Sequence, residues 1–350
     1  MTTWEDVRRR RLARSHLLGP APRDRLVEVV RDACGVHAQV TASAELAISA
    51  RVDGITQDEV RAELWERRSL VKTWTLRSTL HLHPADELPL WLAAKRAVDP
   101  PWYEQYGVDE SQGAAVLDAI GEALDGRALL REELADEVAQ RAGEWTRDWI
   151  GSGWGHIIGA AAAVGRLCHG PPQGTKVTFV RTDQWIGWRD VDPEQALAEA
   201  CRRFVGTYGP AGPRQFAEWF GMKASEARPL FEFPGENELE PASAPGPLRL
   251  LPEYDCYVMG FRERQQLLPE AVREQLKVHP RGRFEGIAGV PTLVIDGVVA
   301  GLWRRAKRGK RVEIVVDPVR RLSAGERRQL KGEAERIGAF LGVEPVLQLS

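Results

Sequence analysis

The order of sequence patterns predicts an α+β fold of several domains: three helical segments and then a strand pair, an order that recurs twice, followed by a strand-rich C-terminal region. At 350 residues the chain is longer than one core usually organises, which agrees with such a division. Three helices followed by a β-hairpin is the order of a winged helix, which places a helix in a DNA groove and its wing along the backbone or in the neighbouring groove. Winged helices also serve as protein-interaction modules, so the order alone leaves the partner open. The expected divisions are winged helix 1 at residues 1–105, winged helix 2 at 106–190, winged helix 3 at 191–252 and a β-rich domain at 253–350.

In the first repeat a helix carries the run Arg8, Arg9, Arg10, Arg11 and Arg14, and Pro22 opens a second helix to about Ala33, with Leu26, Val29 and Val30 on one face. A short connector holding His37 and Gln39 follows, and Ser43 begins a helix to about Val52. Thr56-Gln57-Asp58-Glu59 fits a capping box, in which the Thr hydroxyl and the Glu carboxylate satisfy each other's free backbone N–H groups; that helix runs to about Arg67. SLVKTWTLRSTLHLHP, β-branched and aromatic but interrupted at Arg77 and Ser78, reads as two short strands and a tight turn.

The second repeat shows helical patterns at about 113–124, 130–141 and 151–163, with a Gly-rich turn at Pro171 to Gly174 joining RLCHG to KVTFV as its wing. In the third, Asp192 and Pro193 suit the N-cap and first turn of a helix ending near Gly206. GPRQFAEWFGM and KASEARPLF supply two further helices, and a strand near 248–251 part of a wing. Residues 234–247, PGENELEPASAPGP, read as an exposed loop. Beyond them LLPEYDCYVMGF, GVPTLVIDGVVAGLW and RVEIVVD alternate as strands do, with Asp296-Gly297 as a hairpin turn. A helix from about Ser323 to Leu341 and the strand PVLQL close the chain.

Charge does not mark a nucleic-acid binder, since 48 Lys plus Arg stand against 50 Asp plus Glu. Basic residues are instead clustered, in the N-terminal run and again at Arg304, Arg305, Lys307, Arg308, Lys310 and Arg311, a hairpin arm able to reach a phosphate backbone. The cysteines at 34, 168, 201 and 256 are too scattered for a disulfide framework or zinc knuckle and read as buried thiols of a reducing cytosol. The N-terminal stretch lacks the apolar core of a signal peptide, and no apolar run approaches a membrane span, so a cytoplasmic protein without a membrane partner is expected.

His37 and Gln39 are the chemical centre of this reading. Two residues apart on a connector, an imidazole and a carboxamide have the means to bind and orient one water. A His and a Gln beside a turn also serve as helix-end hydrogen-bonders, and the connector alone leaves both readings open. His81-x-His83 puts two imidazoles on one strand face, but no third ligand cluster stands nearby, so contact with DNA or capping of the strand is the better reading and no metal or other cofactor is expected. The twelve tryptophans read mostly as core, and no phosphate-binding Gly loop or nucleophile elbow is found.

GVHAQVTASAELAISARV, KTWTLRSTLHLHP, LLPEYDCYVMGFRERQQLLP and GVPTLVIDGVVAGLWRR, in that order and spacing, resemble the AlkZ/YcaQ-like bacterial DNA glycosylases over nearly the whole chain. The resemblance implies tandem winged helices plus a C-terminal β domain in a C-shaped cradle for duplex DNA. It implies monofunctional removal of N7-alkylated guanine, including bulky natural-product adducts and interstrand crosslinks, without lyase activity, by a monomer. The family's catalytic pair, Gln-x-Gln or Gln-x-Asp, maps onto His37 and Gln39, so the first position departs from the pattern; a His there is similar to members linked to antibiotic self-resistance. Arg77, Ser78, Thr79 and His81 on the first wing, with Arg304, Arg305, Lys307, Arg308 and Lys310, are the expected DNA contacts. Ser78 departs from the commoner LRGTLH wording, and since Gly there would permit φ > 0, the turn is expected to differ. The alternative from another class is a non-catalytic winged-helix DNA-binding regulator, in which the His37 and Gln39 pair is structural.

Overall fold

The computed structural model describes residues 3–99, 101–152, 156–232, 246–260 and 262–350. The chain forms two units, one of Met1–Val60, Arg203–Trp219 and Lys223–Ser350, the other of Arg61–Arg202 with Phe220–Met222.

In the first unit, a capping box between Thr3 and Asp6 starts the helix Trp4–Arg14. The arginine run on this helix is spent largely on packing. Arg11 is buried and donates to Glu263 at 3.0 Å and to the Pro210 carbonyl at 3.0 Å, while Arg14 donates to the Gly206 carbonyl at 2.6 Å. The helix Leu26–Asp32 buries Leu26, Val29 and Val30, the face expected from their spacing. The next helix, Thr41–Ser49, starts two residues earlier than expected, and the capping box at Thr56 and Glu59 is present.

A five-stranded sheet completes this unit, in the order Leu248–Leu251, Thr292–Ile295, Val298–Arg308, Arg311–Pro318, Glu344–Leu349. Its first four strands are antiparallel, and the last runs parallel to Arg311–Pro318 after a crossover through the helix Ala324–Leu341. Asp296 and Gly297 both have positive φ, as the expected two-residue turn requires. The strand at 248–251 is present, but its partner is Thr292–Ile295 rather than a wing of its own repeat. LLPEYDCYVMGF is not one strand either: the chain leaves the sheet after Leu251 and Cys256–Gly260 is helical. The cause is local, because Tyr254 adopts a φ of 59° and the Asp255 carboxylate accepts the Tyr257 N–H at 2.9 Å, capping the turn.

The second unit opens with the hairpin Leu70–Trp74 and Leu80–Pro84, antiparallel with Leu70 opposite Pro84. Arg77 and Ser78 both take positive φ, 52° and 54°, so the turn keeps a left-handed conformation although Ser stands where Gly would adopt it without strain. A helix Leu88–Arg96 follows that the pattern did not foresee, since it is buried along almost its whole length and so carries no amphipathic period. The helices Glu110–Ala123 and Arg131–Ala142 agree with the expected patterns, whereas the segment expected at 151–163 holds His156–Ala163, with Thr146–Gly151 as a separate short helix. Leu129–Leu130, Lys176–Arg181 and Leu167–Gln173 form a three-stranded sheet in that order. Val116, Ile120, Leu134, Val138, Ile157 and Phe179 lie in its core.

Of the loop expected at 234–247, residues 234–245 lie outside the described residues. All four cysteines are buried and none forms a disulfide. Among the described residues no helix is long and apolar enough to cross a membrane.

Candidate active site

The connector carrying His37 and Gln39 is held at both ends. The helix Leu26–Asp32 ends in a tight turn in which Cys34 and Gly35 take φ of 58° and 91° and the Gly35 N–H returns to the Val30 carbonyl at 3.0 Å. The last carbonyls of such a turn need donors. Two come from the end of the helix Pro193–Tyr208: Thr207 Oγ1 donates to the Asp32 carbonyl at 2.6 Å and the Tyr208 hydroxyl to the Ala33 carbonyl at 2.8 Å. Tyr208 fits only because Gly260 faces its ring, where a Cβ would come within 2.3 Å. Beyond the connector, the Val40 carbonyl accepts the first bonds of Thr41–Ser49, a helix buried from Ser43 to Ser49.

Val36 and His37 form a two-residue strand. His37 is 7% exposed and Gln39 is exposed, so the imidazole is fixed among neighbours while the carboxamide faces solvent. The His37 ring lies 4.8 Å from that of Tyr254, tilted by 31°. Tyr254 is itself tied down, its N–H donating to the Ala288 carbonyl at 2.6 Å and its hydroxyl to the Glu285 carboxylate. Burial, and then the bond to Glu285, push the Tyr254 hydroxyl up to about 12, so it stays protonated and donates.

A buried ion pair fixes the segment that carries Tyr254. Arg51 forks onto Asp255 at 2.8 and 2.7 Å, with both side chains fully buried, and also donates to the Ala47 carbonyl at 2.8 Å. Burial works against the Arg51 charge, but the facing carboxylate outweighs it and holds the guanidinium above its ordinary range. Arg336 donates to Ser49 Oγ at 2.8 Å and Glu333 accepts the Leu250 N–H at 2.9 Å, so the helix Ala324–Leu341 braces both the end of Thr41–Ser49 and the strand before Tyr254. Glu45 is buried and accepts from Gln57 at 2.6 Å.

The expected DNA contacts fall into different settings. Arg304, Lys307, Arg308 and Lys310 are exposed around the Val298–Arg308 and Arg311–Pro318 hairpin, with Arg308 opposite Arg311. Arg305 is half-buried, its pKa lowered by burial against the opposing charges of Glu253 and Glu45. On the other hairpin, Ser78 is exposed, Arg77 and Thr79 are half-buried, and Arg77 occupies space left by Gly221, where a Cβ would stand 3.1 Å from Arg77 Cγ. His81 is 3% exposed with Nδ1 3.0 Å from the Thr79 carbonyl, and His83 Nε2 lies 2.9 Å from Thr75 Oγ1. No group of three or more metal-ligating side chains occurs among the described residues.

A family profile described as DNA glycosylase AlkZ-like matches residues 30–340. The chain belongs to the AlkZ-like DNA glycosylase family. It is a DNA glycosylase, and the reading as a non-catalytic regulator falls with that membership. The chain is 30% identical over 348 residues to an interstrand DNA cross-link repair glycosylase of Streptomyces sahachiroi, covering 90% of each protein. Its fold is similar to the solved structure of Streptomyces sahachiroi DNA glycosylase AlkZ, with a TM-score of 0.74 and 26% identity over the whole of both chains. The mixed helix and strand content expected from the sequence agrees with that likeness.

Sequence reasoning singled out His37 and Gln39 but not the groups around them. Tyr254 and Asp255 lie within the quoted LLPEYDCYVMGF stretch, where two polar residues in an apolar run were a usable signal. Thr207, Tyr208 and Glu285 carried no comparable mark, because each acts through a partner distant in the chain.

Proposed function

We propose that this glycosylase hydrolyses the N-glycosidic bond of N7-alkylated guanine, including bulky adducts and interstrand crosslinks, with His37 and Gln39 placing the attacking water. The observation that carries the reading is the clamped connector: a buried imidazole against the Tyr254 ring, with an exposed carboxamide two residues on. Alkylation at N7 makes guanine cationic, so it departs without protonation, and the enzyme has to supply a positioned water and stabilise an oxocarbenium-like sugar. A two-carboxylate site would add an acid that this leaving group does not require. A neutral His37 accepts the proton of the water, a role worth about 10²- to 10⁴-fold, and the Gln39 amide fixes the water's position.

The contact with the Tyr254 ring supports this role. It holds the imidazole in one orientation, which keeps its nitrogen aimed. The relative's name points to cross-link repair, and a bulky adduct would obstruct a snug base-flipping pocket, so an unflipped nucleotide is the substrate geometry in this reading. Arg304, Lys307, Arg308 and Lys310 contact phosphates, and Arg77, Ser78 and Thr79 meet the groove, with His81 fixing the Thr79 carbonyl. The test is single-turnover incubation with duplex DNA carrying one N7-alkylguanine. Base release that persists in His37→Ala and Gln39→Ala would remove the pair from the chemistry.

A further inference from the structure

A cleft of about 620 Å³ in the second unit is lined by three arginines, Arg67, Arg68 and Arg189, two indoles, Trp185 and Trp188, and one carboxylate, Asp86. Its size falls in the range of ligand sites, and its charge is positive. The arginines are unevenly engaged. Arg67 is paired with Glu63 at 2.7 Å, whereas Arg68 and Arg189 are exposed and have no carboxylate partner among the described residues. Arg68 lies instead with its guanidinium carbon 3.8 Å from the centre of the Trp185 ring, on a backbone of φ 55°. A non-Gly residue is held in that conformation only where its surroundings impose it.

The indoles are a rigid platform. Trp185 and Trp188 pack on the cluster of Val71, Leu88, Leu92, Cys168, Val180 and Ile186. Trp188 is further located by Gly165, where a Cβ would come within 2.3 Å of its ring. Guanidiniums without counter-charges and fixed aromatic surfaces are together what a nucleotide satisfies, through its phosphate and its base.

We propose that this cleft binds one unstacked nucleotide of single-stranded DNA, its phosphate on Arg68 and Arg189 and its base against Trp188. Single-stranded DNA is favoured over duplex because only an unstacked base offers its face to an indole. Such binding belongs to the second unit alone, involves none of the chemistry at His37 and needs no cleavage.

The test uses the full chain and fluorescence anisotropy of a labelled oligothymidylate, an abasic oligonucleotide with the same backbone, and a duplex, each across a salt series. The wild type should bind oligothymidylate about tenfold tighter than the abasic strand, the scale of one base stacked on an aromatic ring. Trp188→Leu should abolish that preference and Trp188→Phe keep part of it. Arg68→Ala with Arg189→Ala should weaken binding to both single strands and make the log–log salt slope shallower by about 0.7, the value for the one phosphate no longer neutralised. Duplex binding should change little, and the control pair Arg127→Ala with Arg141→Ala should leave the single-strand slope alone. Equal affinity of the wild type for thymidylate and abasic strands would overturn the proposal. So would a loss in the arginine variant that is matched on duplex or by the control pair. The exposed arginine pair decides the matter even if Trp188→Leu does not fold.

Discussion

Removing the Asp255 side chain should destabilise the first unit far more than an average substitution. Arg51 and Asp255 both have fully buried side chains, and their two hydrogen bonds are 2.8 and 2.7 Å long. In Asp255→Ala the guanidinium stays buried without its counter-charge, and an arginine does not escape by losing its proton. Its bond to the Ala47 carbonyl at 2.8 Å satisfies one donor but no charge. Breaking one side of such a pair costs about 3–5 kcal/mol. For a unit of about two hundred residues, at roughly 2–4 °C per kcal/mol, that is a fall in Tm of roughly 6–20 °C. Asp255→Asn should fall between wild type and Asp255→Ala, because it keeps an acceptor for the Tyr257 N–H. The double variant Arg51→Met, Asp255→Leu should be more stable than Asp255→Ala, since it removes the stranded charge as well. Chemical denaturation followed by tryptophan fluorescence measures all three. A cost below about 1 kcal/mol for Asp255→Ala, or a double variant less stable than the single one, would refute the reasoning.

The remaining predictions concern charge and pH. Excision by the wild type should fall about tenfold per pH unit below the range in which an imidazole takes up a proton, ordinarily about 6.5, and His37→Gln should flatten the profile while keeping some activity. A flat wild-type profile, with binding intact at each pH, would reduce His37 to a hydrogen-bonding role. Burial, then the charges of Lys72 and Arg131, hold the His169 imidazole well below its ordinary range. Its neutral native form therefore contributes stability that is complete above about 6.5, where the unfolded imidazole is neutral too, and is lost as pH falls, by up to about 1.4 kcal/mol per unit. His169→Phe should remove this dependence, as read by hydrogen exchange in the Leu167–Gln173 strand. Lys307→Ala with Arg308→Ala should make the salt slope of duplex binding shallower by about 0.9 for each phosphate no longer neutralised, without changing sequence preference; an unchanged slope removes that hairpin from the interface.

What could be read from the sequence was whatever rested on local chemistry. The capping box at Thr56, the helix start near Ser323 and the Asp296-Gly297 turn each rest on neighbours within a few residues, and all three are present. The helix Leu88–Arg96 escaped because burial on all sides erases the period that marks a surface helix. The strand at 248–251 was assigned to a wing because nothing local names a partner, and its partner lies some forty residues on, at Leu293 opposite Leu250. At the site, the pair on the connector was legible as two polar groups in an apolar stretch. The devices that fix it were not, since Thr207, Tyr208 and Tyr254 reach it across long sequence separations. The arginine run on Trp4–Arg14 misled in the opposite direction: it reads as a basic cluster, yet Arg10 and Arg11 are buried and Arg14 bonds a backbone carbonyl.

We propose that this chain releases alkylated guanine through a water held by His37 and Gln39. The most direct measurement is single-turnover incubation of the full chain with a defined duplex carrying one N7-alkylguanine, scored by strand breaks on alkaline treatment and by mass analysis of the freed base. The wild type should release intact alkylguanine and leave an abasic site that stays unbroken until alkali is added. His37→Ala and Gln39→Ala should each bind the duplex as the wild type does and release the base at least about a hundredfold more slowly. Release at the wild-type rate by either variant, or no release by a wild type that binds the duplex, would contradict the account.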